Sequence, residues 1–149
     1  MINKSTLMRY PFFANLDEDF IQQMLPIGEE IILAEEEWLF RQDQPAKKIY
    51  LITEGKVALT IRFRENEIDR LNPYLSGEII GWSALVKPKI YTMGAIAELP
   101  SKLIGFNGEK LSKLMDQEKS QGYIMLKNLN EIISERLINR NIQLMSLRS

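Results

Sequence analysis

The sequence predicts a mainly β protein with flanking helices: a double-stranded β-helix, or jelly-roll-like β-roll, set between a short N-terminal helix and C-terminal helices. Three observations predict it. Short apolar runs rich in β-branched and aromatic residues recur at close, regular spacing through residues 30–61, with polar turns between them. Helical periodicity is confined to the two ends, residues 10–26 and 107 onward. With 149 residues, 45% of them hydrophobic and 26% charged, the chain is long enough for one well-filled core. One domain over 1–149 is therefore expected, with a helical segment at 7–28, a roll at 29–106 and C-terminal helices at 107–149.

Taken in order, a Pro-Phe-Phe cluster at 11–13 precedes Phe20, Ile21, Met24 and Leu25 at helical spacing. Asp17 or Asn15 can cap this helix, and Pro26 lies where it should stop. The strand runs are Ile31-Ile32-Leu33, Trp38-Leu39-Phe40, Ile49-Tyr50-Leu51-Ile52 and Val57-Ala58-Leu59-Thr60-Ile61. Glu35-Glu36-Glu37, Gln42-Asp43-Gln44-Pro45 and Thr53-Glu54-Gly55-Lys56 read as the turns, the first of them a solvated charge run. Strands are also expected at 90–99 and 102–106, after a Gly/Ser/Ala-rich interruption at 76–85. Helices follow at 109–117, with Asn107 as the cap, and from about Gly122 to near the end. In the last helix Leu126, Leu129, Ile133, Leu137 and Leu144 form one apolar stripe, while Ile138, Ile142 and Met145 form a second beside it. Two stripes exceed what one contact needs, and roughly 25 residues at about 1.5 Å each outreach a domain this small. The distal half is expected to pair with a second copy, giving a homodimer; the alternative is a wide core face folded back on the roll.

Composition removes several function classes. Cysteine and histidine are both absent. That excludes disulfides, thiolate nucleophiles, histidine acid/base chemistry and the common zinc, copper and iron sites. Nineteen basic against 20 acidic residues give a net charge of −1, so no overall field draws the protein to nucleic acid or an anionic membrane. No apolar run is long enough to span a bilayer and nothing resembles a signal peptide, so a cytoplasmic location is expected.

Residues 37–57, Glu-Trp-Leu-Phe-Arg-Gln-Asp-Gln-Pro-Ala-Lys-Lys-Ile-Tyr-Leu-Ile-Thr-Glu-Gly-Lys-Val, resemble the cyclic-nucleotide-binding domain family. That family includes the sensor halves of catabolite-activator-type regulators, regulatory subunits of cyclic-nucleotide-dependent kinases and channel gating domains. Its order of helix, β-roll and two C-terminal helices covers nearly the whole chain. Asp43 stands where the family usually has glycine, and Asp tolerates left-handed backbone angles better than most residues.

A second stretch, Gly77-Glu78-Ile79-Ile80-Gly81-Trp82-Ser83-Ala84-Leu85, is similar to the family's phosphate-binding cassette, here expected over 76–92. A glycine turn leading into a short helix can aim free N–H groups at a cyclic phosphate. The resemblance implies a cAMP- or cGMP-type ligand, or another small polar one. Glu78 would accept from the ribose 2′-hydroxyl, Gly77 and Gly81 would shape the turn, and Ser83 and Ala84 would offer donors to the phosphate, with Ile80 beside them. Trp82 would wall the pocket, stack on a base or fill the core. The alternative is a plain turn with no ligand.

Family members that bind cyclic nucleotides carry an arginine after this helix. In this sequence Tyr91, or Ile90 if the loop is counted differently, falls at that position, and no arginine occurs between Arg70 and Arg136. Losing a planar guanidinium without a substitute weakens a cyclic nucleotide by about 2–5 kcal/mol. Lys87 or Lys89 could supply charge as a flexible point, and Tyr91 with Thr92 two hydroxyls; each has a bland alternative in a solvated loop or a packed strand.

Two functions remain in view: a non-catalytic sensor that signals small-ligand occupancy through its C-terminal helix, and a ligand-free roll acting as a dimerisation or docking scaffold. A transcription factor of the catabolite-activator type would place a helix-turn-helix after the long helix, and this sequence stops at Ser149, so direct nucleic-acid binding is not expected. A cupin-like enzyme would need histidine metal ligands, so neither a catalytic nor a metal site is expected.

Overall fold

The computed structural model describes residues 2–148, and the expected roll is what they form. One antiparallel sheet contains β1 (Gly28–Leu33), β3 (Lys48–Glu54), β6 (Ile79–Ile80) and β8 (Ser101–Asn107), in the order β1-β8-β3-β6. The other contains β2 (Trp38–Phe40), β4 (Lys56–Arg64), β5 (Glu67–Leu75) and β7 (Gly94–Ala97), in the order β2-β7-β4-β5. Helices α1 (Lys4–Leu7) and α2 (Glu18–Met24) precede the roll; α3 (Gly108–Gln117) and α4 (Lys119–Ser146) follow it.

The continuous apolar run in β3 reflects burial on both faces. Ile49 and Leu51 point to a core shared with the helices, where Leu7, Phe12, Phe13, Phe20, Leu111 and Met125 gather. Tyr50 and Ile52, one residue out of phase, point into the roll with Phe40, Val57, Tyr74, Ile80 and Tyr91. Period-two alternation thus serves two cores from one strand. β8, between β1 and β3, does the same with Leu103 inward and Ile104 and Phe106 toward the helices.

Helix ends follow their local chemistry, with one difference. Asn107 caps α3 as expected, its side chain accepting from the Lys110 N–H at 2.9 Å. Asp17 occupies the N-cap position of α2 but makes no capping bond. Instead its carboxylate accepts from Gln121 Nε2 at 3.1 Å and its N–H donates to Gln121 Oε1 at 2.8 Å, tying α2 to the start of α4. Asn128, also buried, donates to the carbonyls of Phe12 and Ala14 at 3.1 and 2.8 Å. These bonds satisfy polar groups that would otherwise be costly inside the helical core.

Several expectations change. α1 is too short, at four residues, to carry a helical period, and the Asn3 side chain caps it by accepting from the Thr6 N–H. β5 is likewise unmarked by any period. It is an edge strand, largely exposed, and contains Pro73, which reads as a strand breaker yet is tolerated at an edge. The strand expected at 90–99 contracts to β7, with only an isolated bridge between Ile90 and Pro45 before it. α4 begins at Lys119 rather than Gly122 and runs 28 residues. Asp43 adopts φ 71°, as its substitution for glycine requires. Glu36, in the solvated turn, also has a left-handed backbone and pairs with Arg70 of β5.

Candidate ligand cleft beneath the long helix

The cassette segment starts with two left-handed glycines, Gly77 at φ 93° and Gly81 at φ 82°. Between them Glu78 leads into β6, whose Ile80 is buried opposite Tyr50. After Gly81 the chain makes one 3-10 turn, Trp82–Leu85, where a short helix was expected. In that turn the Ala84 N–H donates to the Gly81 carbonyl at 3.2 Å, and the Ala84 side chain is buried. That bond commits the Ala84 amide within the turn, so the donor expected from Ala84 is not offered to the cleft. Lys89 has a left-handed backbone and an exposed side chain away from the cleft.

Tyr91 is buried at 4% exposure, and its ring stacks on Phe40 with centroids 3.7 Å apart. Its phenol donates to the Lys48 carbonyl at 2.7 Å and accepts from the Lys48 N–H at 3.3 Å. Burial pushes the Tyr91 phenol above its ordinary pKa, against the lowering effect of the Lys48 backbone, and burial pushes Tyr50 up as well. Both stay neutral at physiological pH. Tyr91 is therefore a packed aromatic whose polar tip is already spent on the backbone.

A cleft of about 260 Å³ remains open above this floor. Gly81, Trp82, Ser83, Tyr91 and Thr92 line it from the expected site; Gly77, Glu78, Ile80, Ala84 and Lys89 do not. Its opposite wall is α4, through Ile133, Arg136, Leu137 and Arg140, which the sequence reading left without a role in the site. The available signal was two arginines at i and i+4 beside an apolar stripe, a spacing that places both on one helix face.

Arg136 is the unusual member. Its side chain is 13% exposed, and its guanidinium carbon lies 4.2 Å from the Tyr74 ring centroid and 4.9 Å from that of Trp82. Glu78 Oε1 is 4.0 Å from its Nη2, too long for a hydrogen bond. Glu78 Oε2 is meanwhile committed to the Leu75 N–H at 2.7 Å. Both terminal nitrogens of Arg136 are buried without an acceptor among the described residues. Desolvation pulls the Arg136 pKa down, opposed first by Tyr74 and then by Glu78. An arginine nevertheless stays charged. Arg140 donates from Nη2 to the Tyr74 phenol at 3.0 Å. The cleft thus combines apolar walls with two guanidinium groups and the hydroxyls of Tyr74, Ser83, Tyr91 and Thr92, of which Tyr91 is bonded to the Lys48 backbone and Tyr74 accepts from Arg140.

A β-roll of two antiparallel sheets with short N-terminal and C-terminal helices is a fold typical of regulatory and sensor modules. The cyclic nucleotide-binding domain model matches residues 30–118, and the chain belongs to that family, which is one of regulatory and sensor modules. A Geobacter metallireducens GS-15 protein described as cyclic nucleotide-binding is 28% identical, with a TM-score of 0.81 over 92% of this chain and 99% of that one. The Thermus thermophilus catabolite activator protein is 20% identical, with a TM-score of 0.73 over 93% of this chain and 63% of that one. The regulatory domain of Toxoplasma gondii PKA, solved with cAMP, is 18% identical, with a TM-score of 0.74 over 89% of this chain and 48% of that one. No curated protein matches the chain in sequence. Among the described residues no helix is long and apolar enough to cross a membrane.

Proposed function

We propose that this chain is a non-catalytic, cytoplasmic regulatory module that takes a small ligand in the cleft and reports its presence through α4 to a second copy. The observation that supports the reading is that one helix walls the cleft with one set of residues and leaves a second apolar set exposed. Ile133, Arg136, Leu137 and Arg140 wall the cleft, while Ile138, Ile142 and Met145 of the same helix are 58, 57 and 70% exposed. A ligand that prefers one placement of α4 would bias whatever packs on its outer face, which is the requirement for two-state coupling.

Cyclic nucleotides fit this cleft poorly, because the Tyr91 ring stands where a phosphate-pairing arginine would be. Calorimetry with cAMP and cGMP is expected to show binding weaker than micromolar for both; submicromolar binding of either would restore a conventional cyclic-nucleotide sensor. The Tyr91 packing also favours a second reading, a ligand-free scaffold. On that reading no small ligand moves the thermal transition, and only the pairing helix matters.

Pairing has its own test. Ile142 is exposed and absent from the cleft wall, so Ile142→Asp should leave the folded protomer intact. In a dimer seam each carboxylate would lose its water, so association is expected to weaken by about 2–5 kcal/mol, or tens- to thousands-fold. Sedimentation equilibrium reads this directly, and an unchanged association constant would remove α4 as the dimer contact.

A further inference from the structure

We infer that the ligand of this cleft is a monoanion on a flat apolar body, an aryl carboxylate in chemical class, whose charge is held by Arg136 and Arg140 of α4 and not by the cassette turn. This rests on the reading that the cleft takes a ligand and adds which chemistry it takes and which element reads it. Three features converge. First, the Arg136 Nη1 and Nη2 groups are buried with no acceptor among the described residues. A guanidinium stripped of water is costly until an anion meets its paired N–H groups, and a carboxylate matches that fork in shape.

Second, the charge is unbalanced. Two guanidinium groups line the cleft, and the nearest carboxylate, Glu78, stands 4.0 Å from Arg136 with its other oxygen already bonded to the Leu75 amide. One positive charge is left over, which a monoanion neutralises. Third, most of the remaining surface is apolar, from Phe40, Leu59, Met93, Ile133 and Leu137, with Ser83 and Thr92 as its small polar members. A ribose would set its hydroxyls against a wall that is mostly apolar. The volume of about 260 Å³ exceeds the roughly 150 Å³ that accommodates benzene, so a ring system with an acid group fits. Because both arginines belong to α4, an anion seated there acts on the helix itself.

The test is calorimetry on the full chain with two probes of one shape, indole-3-acetate and the uncharged indole-3-ethanol. The acid is expected to bind about 10- to 100-fold more tightly than the alcohol, the range for a charge-assisted contact in a desolvated site. Arg136→Gln should abolish that preference, and Arg136→Lys should keep part of it. Should Arg136→Gln fail to fold, the acid-to-alcohol ratio on the unaltered protein still decides. Equal binding of the two probes overturns the anion assignment and leaves a cleft ligand standing. Silence from both at millimolar concentration overturns the assignment together with the reading beneath it.

Discussion

Phe106→Ala is expected to lower the unfolding free energy by about 3–5 kcal/mol, the range for deleting a large buried ring. Phe106 has no solvent exposure and sits on β8, the strand that joins β1 to β3. Its ring lies 5.9 Å from that of Phe13, which meets Phe12 edge-on at 5.1 Å. The same core takes Phe20 from α2, Leu111 from α3 and Met125 from α4. One truncation thus opens a cavity where roll, N-terminal helices and C-terminal helices meet. Neighbours from several elements cannot all collapse into it, which puts the cost at the upper part of the range. Urea titration should show a lower midpoint with an unchanged slope, and the melting temperature should fall by roughly 6–20 °C. A loss under about 1 kcal/mol would mean that the helices do not depend on this core.

Tyr91→Ala is expected to cost about 3–5 kcal/mol, and Tyr91→Phe only about 1 kcal/mol. The contrast follows from the two jobs of the side chain. The ring fills the roll against Phe40 and faces Gly81, where an added Cβ would lie 3.4 Å from Tyr91 Cε1. The hydroxyl serves the Lys48 backbone. Denaturant unfolding of the two variants separates ring from hydroxyl. A Tyr91→Phe variant as stable as the unaltered protein would show the hydroxyl free of Lys48 and available to a ligand. A Tyr91→Ala variant that gains affinity for cAMP would show that the ring itself excludes the phosphate.

The roll was legible in the sequence because its signals are local. Ile49-Tyr50-Leu51-Ile52 reads as a strand buried on both faces whatever lies above and below it, and glycine at 77 and 81 announces left-handed turns. Asn107 declares a helix start through its own side chain. β5 was not legible. Its residues Glu67 to Leu75 are mainly exposed and include a proline, so the strand exists because β4 offers a hydrogen-bonding edge, a property of the neighbour.

The candidate site divides in the same way. The absence of any arginine between Arg70 and Arg136 could be read along the chain, since it is a matter of residue identity, and so could the expectation that Tyr91 or Ile90 stands where the family carries one. Its consequence could not, because only the Phe40 stack and the Lys48 hydrogen bonds turn the substitution into a filled pocket. Arg136 and Arg140 lie more than 40 residues from Tyr91 in sequence, and on the page they look like ordinary charges on a solvated helix face. Residue order and periodicity alone specify the roll, the glycine turns at 77 and 81, and a terminal helix with more apolar surface than one contact uses. Tertiary structure alone decided that this helix folds over the cassette and desolvates Arg136. Periodicity records which residues share a face, while the environment that removes water from a charge is built by whatever packs against it.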